Sequence, residues 1–217
     1  HTFITKDKND HPLTIGIKMS TDALNGLPTQ GDPNMGGELP GYMLNLPKQA
    51  SNSGFDHSEV DWNPQGHEPL FAYGVPHFDF HFYMISPAER SAIDPSDPAF
   101  ATKAANLPTA NCSLTGYVAD PPANAVPHMG LHWTGSNSGE FHGQPFTRTY
   151  VLGSWNGQFI FVEPMVTRAY LLTHPDEVVP VGSASQRAIS GYYPTGYRVS
   201  WDAAATEWHV AISGLTH

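Results

Sequence analysis

The chain has 217 residues, a net charge of −10 and only ten Lys and Arg, and these basic residues are scattered singly. That balance argues against nucleic acid or an anionic membrane as a partner, and no apolar run approaches the ~20 residues that span a bilayer. Charged residues make up 14 % of the chain against about 25 % in ordinary soluble domains, while Gly and Pro number 20 each, so turns are abundant and helix formers scarce.

In chain order, residues 2–6 and 13–19 ("LTIGIKM") read as two strands joined by "KDKNDHP". "STDALNGLP" reads as a short helix stopped by Gly26 and Pro28, "TQGDPNMGGELPG" as a loop, and "YMLNLP" as a short strand. Residues 77–84 alternate strictly. His77, Asp79, His81 and Tyr83 share one face and Phe78, Phe80, Phe82 and Met84 the other, which places the Phe face in a core. "SPAERSAI" begins a short helix, and 91–124 reads as irregular. Strands return at 146–152 and 158–163 around the hairpin turn "GSWNG", followed by a short helix in "VTRAYLLTHP" and a final hairpin from "GYRVSWD" to "EWHVAIS". These elements predict one all-β domain over 1–217, a barrel or sandwich of cupin-like or jelly-roll type with a few short peripheral helices.

Twelve histidines are unevenly placed. "PHFDFHF" at 76–82 and "PHMGLHW" at 127–133 repeat one phrase, Pro-His-apolar-x-apolar-His-aromatic. Along a regular strand residues i and i+4 stand about 13 Å apart, so His77 and His81 could share one ion only if the strand were coiled or bulged. An antiparallel pairing of the two phrases would instead set His77 opposite His132 and His81 opposite His128, at a spacing suited to two ligands. Glu163, just before Pro164, adds a carboxylate. Two or three His with one carboxylate and an open position is a common catalytic metal set. The expected ligands are therefore His77, His81, His132 and Glu163, with His128 and His67 as weaker candidates. Glu68 and Asp79 are the candidate catalytic or orienting carboxylates. In "GHEP", Gly66 permits an unusual backbone and Glu68 is equally suited to cap a loop.

The blocks "IGIKMSTDALNGLP", "VDWNPQGHEPLFAYGVPHFDFHFYMIS", "VPHMGLHW" and "YVLGSWNGQFIFVEPMVTRAYL" resemble a family of exported bacterial proteins of unknown function typified by a Thermus hypothetical protein. The resemblance implies that His67, Glu68, His77, Asp79, His81, His132 and Glu163 belong to one pattern, and that the chain is exported to the periplasm or beyond without its signal peptide. Cupins and α-carbonic anhydrases are similar in kind, by analogy of architecture only.

The expected function is a metal-dependent enzyme, hydrolytic or oxidative, using Zn, Mn, Fe, Ni or Cu on a small-molecule substrate. The alternatives are an exported binding protein that stacks a carbohydrate or other ligand on Trp62, Trp133 and Trp155, and a structural envelope protein whose polar cluster only fixes the fold. A homo-oligomer is compatible with each.

Overall fold

The computed structural model describes residues 1–32, 39–182, 184 and 191–217, so part of the loop read over 29–41 lies outside the described residues. The strands are β1 (Thr2–Lys6), β2 (Pro12–Ser20), β3 (Tyr42–Asn45), β4 (His57–Asn63), β5 (His77–Tyr83), β6 (Tyr117–Ala119), β7 (Leu131–Gly135), β8 (Arg148–Trp155), β9 (Gln158–Thr167), β10 (Asp176–Pro180), β11 (Gly196–Asp202) and β12 (Glu207–Ser213). Among the described residues four short α-helices accompany them: α1 (Leu70–Tyr73), α2 (Pro87–Ser91), α3 (Phe100–Ala105) and α4 (Arg168–Leu171).

Among the described residues the strands form two open antiparallel sheets, ordered β1-β2-β12-β11-β10 and β3-β4-β5-β9-β8-β7-β6. Neither sheet closes on itself, so the all-β expectation resolves to a sandwich and not a barrel. One hydrophobic cluster joins the facing sides. The rows Ile17–Val210 and Ile15–Ile212 of the five-stranded sheet meet Phe78, Phe80 and Phe82 of β5 with Val162 and Val166 of β9. The Phe side of the alternating run 77–83 thus enters the core as its periodicity requires. Buried indoles are satisfied there: Trp133 donates to Ser154 Oγ at 2.8 Å and Trp208 to the Leu171 carbonyl at 2.7 Å.

Local chemistry accounts for the connections that shape the site. Asn156 and Gly157 join β8 to β9, both with positive φ (47° and 86°), as a two-residue hairpin turn demands. Ser86 and Glu89 form a capping box around α2, with Pro87 at its first position. That cap starts α2 at a fixed place and lets Arg90 reach back to Glu59 on β4.

Three expectations about the strands are overturned. β5 pairs with β4 and β9, while β7 pairs with β6 and β8, so two strands separate the repeated phrases. The second phrase is also only half a strand. His128 has φ 64° and Gly130 φ 77°, which turns the chain before β7 begins at Leu131. Further, β9 runs through Pro164 to Thr167, so Glu163 sits inside a central strand rather than at its end.

The outer side of the seven-stranded sheet is covered as well. Ala72 and Tyr73 of α1 pack with Phe146, Val151 and Met165. Beyond α2, Ile93 packs with Tyr83, Ile160 and Phe161. This cover explains why the polar face of β5 is as buried as its Phe face.

Candidate metal centre

Alternation on three neighbouring strands builds one polar patch on that outer side. β4 contributes Glu59, Asp61 and Asn63, which stand opposite His81, Asp79 and His77 of β5. Within the continuous β5–β9 register, Glu163 falls beside His81. His132 comes from β7 across β8, through the row His132–Gly153–Phe161. Gly153 is essential to that reach: a Cβ there would lie 1.9 Å from the Phe161 ring. With no side chain in the way, Phe161 lies edge-on to both His81 and His132, at ring-centroid distances of 5.0 and 5.5 Å.

The expected ligands divide into two groups rather than one. His81, His132 and Glu163 offer ligand atoms that all lie within 4.8 Å of one another; His67, His77 and Asp79 form a second such set. β5 is regular over 77–83, so His77 and His81 are held apart as strand geometry predicts, and no coil brings them onto one ion. In the first group His81 Nε2 is 3.5 Å and His132 Nε2 3.9 Å from Glu163 Oε2. His81 Nδ1 lies 3.0 Å from Asp61 Oδ2.

The second group depends on the loop before α1. Gly66 has φ 73°, and a Cβ on it would meet the Tyr73 carbonyl at 2.0 Å, so only glycine lets this loop lie against Tyr73–Val75. His67 is thereby carried over β5, its ring 4.8 Å from that of His77. Nε2 of His77 is 3.2 Å and Nε2 of His67 3.4 Å from opposite oxygens of Asp79. Asn63 donates to Asp79 at 2.7 Å.

Burial and charge oppose each other here. Burial pulls the pKa of His81 down, but Glu163 and Asp61 more than offset it and raise it to about 9. Burial likewise works against a charged His67, and Asp79 reverses the effect, also to about 9. Burial pushes Glu163 up, to about 8, against the attraction of His81. His132 is driven the other way, to about 3, by burial and by its positive neighbours His81 and His67. Asp79 is held well below the carboxylate range by His77 and His67 although burial alone would raise it. Positive charge is thus favoured at His81 and His67, beside the carboxylates, and disfavoured at His132.

The hydrogen bonds point the same way. His81 Nδ1, His81 Nε2, Asp79 Oδ1, Asp61 Oδ2 and Glu163 Oε2 are buried without a well-directed hydrogen-bond partner. Buried polar atoms are normally satisfied. A divalent cation fits such a convergence, because imidazole nitrogens and carboxylate oxygens suit the first-row metals.

The other candidates fall elsewhere. Glu68 is exposed and accepts the Leu70 N–H at 3.0 Å, capping α1. His128 is exposed in its turn, its N–H bound to the Ile93 carbonyl. Trp62 and Trp133 are buried in the core and so offer no ring for stacking a ligand, while Trp155 leans on Phe100. Sequence reasoning passed over Glu59, Asp61, Asn63 and Arg90. Three of them were readable: "HSEVDWN" alternates just as "HFDFHFY" does, with His57, Glu59, Asp61 and Asn63 on one side.

Residues 7–62 match a family described as TTHB210-like, hypothetical protein TTHB210. Over this segment the chain is similar to the TTHB210-like family. The expected kinship with an uncharacterised family typified by a Thermus protein therefore holds over this stretch, which includes Glu59 and Asp61 and ends before β5. No curated protein and no solved structure matches the chain.

Proposed function

We propose that this TTHB210-like chain is an exported metal-dependent enzyme whose divalent cation is held by His81, His132 and Glu163. The observation that carries the reading is the meeting of three ligand atoms from three different strands within 4.8 Å, with His81 Nε2 and Glu163 Oε2 otherwise unsatisfied. Asp61, behind the far nitrogen of His81, is placed to orient that ring, as carboxylates commonly do behind metal-bound histidines.

Two imidazoles and one carboxylate leave coordination positions free for water or substrate. A bound cation would supply Lewis acidity or, with Fe or Cu, redox chemistry. His132 is partly exposed and marks the side from which a small molecule would enter. Asp79, two residues from His81 on the same face and kept ionised by His77 and His67, would accept a hydrogen bond from a substrate hydroxyl.

Elemental analysis of untagged protein beside Glu163→Gln and His132→Ala variants tests this. Loss of one metal ion per chain in both folded variants, relative to wild type, is the expected result; an unchanged metal content in either variant sinks the assignment.

One observation favours a second reading. His81 lies between two carboxylates, Asp61 and Glu163, and a protonated ring there would make a self-contained ion triad that stabilises the fold. Under that reading Glu163→Gln lowers thermal stability in metal-free protein, and divalent ions do not stabilise the wild type.

A further inference from the structure

From the sequence His77 was expected to share one ion with His81, His132 and Glu163, with His67 as a weaker ligand and Asp79 as a catalytic or orienting carboxylate, yet these three residues form a separate polar group of their own. His77 Nδ1 lies 2.7 Å from the Val75 carbonyl and His67 Nδ1 2.7 Å from the Glu68 carbonyl. A carbonyl only accepts, so both Nδ1 atoms donate, which fixes the tautomer of the neutral rings and leaves a lone pair on each Nε2. Those lone pairs face the two oxygens of Asp79 at 3.2 and 3.4 Å. Asp79 Oδ1 is buried without a hydrogen-bond partner, and His77 is fully buried. Asn63 Nδ2 reaches both His77 Nε2 at 3.5 Å and Asp79 Oδ2 at 2.7 Å, and acceptors that converge at this range are satisfied further by a positive centre between them, a proton on His67 or a metal ion.

We infer that His67, His77 and Asp79 hold a second divalent cation, making the patch a two-ion centre. The inference rests on the proposed function in treating His81, His132 and Glu163 as the first site, but its ligands are separate. Three features suit a metal. Each histidine is oriented through its other nitrogen by a backbone carbonyl. Asn63 Nδ2, 2.7 Å from Asp79 Oδ2, holds the carboxylate in place. Finally, Gly66 and its loop bring His67 in from outside the sheet, and the His67 side chain remains 38 % exposed, so the site has an entrance.

Asp79 and His81 are alternate residues of one strand, so the two ions would stand on the order of 6–7 Å apart. That is wider than the ~3.5–4 Å of centres bridged by a single oxygen. It suits a ligand that presents a different oxygen to each ion, as a phosphate or carboxylate group does. The ligand class implied is therefore an oxyanion, drawn to two cations in an otherwise acidic patch.

The test is zinc and cobalt(II) titration of the full chain, with stoichiometry read by calorimetry and by native mass spectrometry. It is repeated on His67→Ala, Asp79→Asn and His132→Ala. His67 is the least buried ligand and Asp79→Asn is isosteric, so one folded variant at least reports on the second site. Two ions in the wild type, with one lost in His67→Ala or Asp79→Asn and one lost in His132→Ala, is the expected result. One ion that is lost in His132→Ala and kept in His67→Ala and Asp79→Asn overturns the second site and leaves the first. One ion with the reverse pattern supports the present site and removes the one proposed above. No ion in the wild type overturns both.

Discussion

Asp61 Oδ2 sits 3.0 Å from Nδ1 of His81, on the side of the ring away from Glu163. The pair links β4 to β5, and through His81 it reaches β9, so one imidazole ties three adjacent strands. A ring held this way presents its Nε2 in one direction.

Asp61→Asn keeps the shape and removes the charge. Loss of a carboxylate behind a metal-bound histidine costs about 10–100-fold in affinity. Calorimetric titration with zinc should show a drop of that size while the circular dichroism spectrum stays unchanged. An unaltered dissociation constant would remove Asp61 from the centre.

Gly153→Ala should damage the site from a distance. The new Cβ would overlap the Phe161 ring, which touches both His81 and His132. Overpacking of this kind costs about 1–3 kcal/mol. Urea unfolding should show that loss, with weaker metal binding beside it. Wild-type stability in the variant would mean that the ring has room to move.

The Glu59–Arg90 pair predicts a pH dependence. Burial works to raise the pKa of Glu59, but the Arg90 guanidinium holds it below the usual value of 4.5. A depressed carboxylate contributes stability that is present above pH 4.5 and is lost as pH falls through the folded-state value. Wild type should lose stability steeply below pH 4.5, and Glu59→Gln should lose less over the same interval. Parallel curves for the two proteins would contradict the assignment.

Phe80 and Phe71 should behave as opposites. Phe80 is fully buried between the sheets, whereas Phe71 on α1 is 78 % exposed. Phe80→Ala is expected to cost about 3–5 kcal/mol and Phe71→Ala within about 0.5 kcal/mol. Chemical denaturation checks both, and equal losses would contradict the sandwich core.

Much of the candidate site was legible because alternation is a local property. The run 77–83 shows by itself which residues share a face, since successive side chains on a strand point to opposite sides. The same period marks Glu59, Asp61 and Asn63 in "HSEVDWN", a signal obscured there by the polar residues His57 and Ser58 at the start of the run. Asn156-Gly157 announces its turn for an equally local reason, the positive φ that both positions require.

The partners of those faces were not legible. "PHFDFHF" and "PHMGLHW" look like one phrase, yet the first forms an unbroken strand and the second turns at His128 and Gly130 before its strand begins. Strand order depends on contacts between distant segments, and nothing within a seven-residue phrase encodes which neighbour it will meet. The sequence by itself determined the faces, the turns and the donor types: histidine and carboxylate in alternate positions. Only the tertiary structure decided that β9 and β8 lie between β5 and β7, that Gly153 clears the way for His132, and that the ligands fall into two groups. The physical reason is the rise of a regular strand, which keeps His77 and His81 too far apart for one ion, so that His81 meets His132 and Glu163 across the sheet while His77 meets Asp79 on its own strand and His67 from the loop before α1.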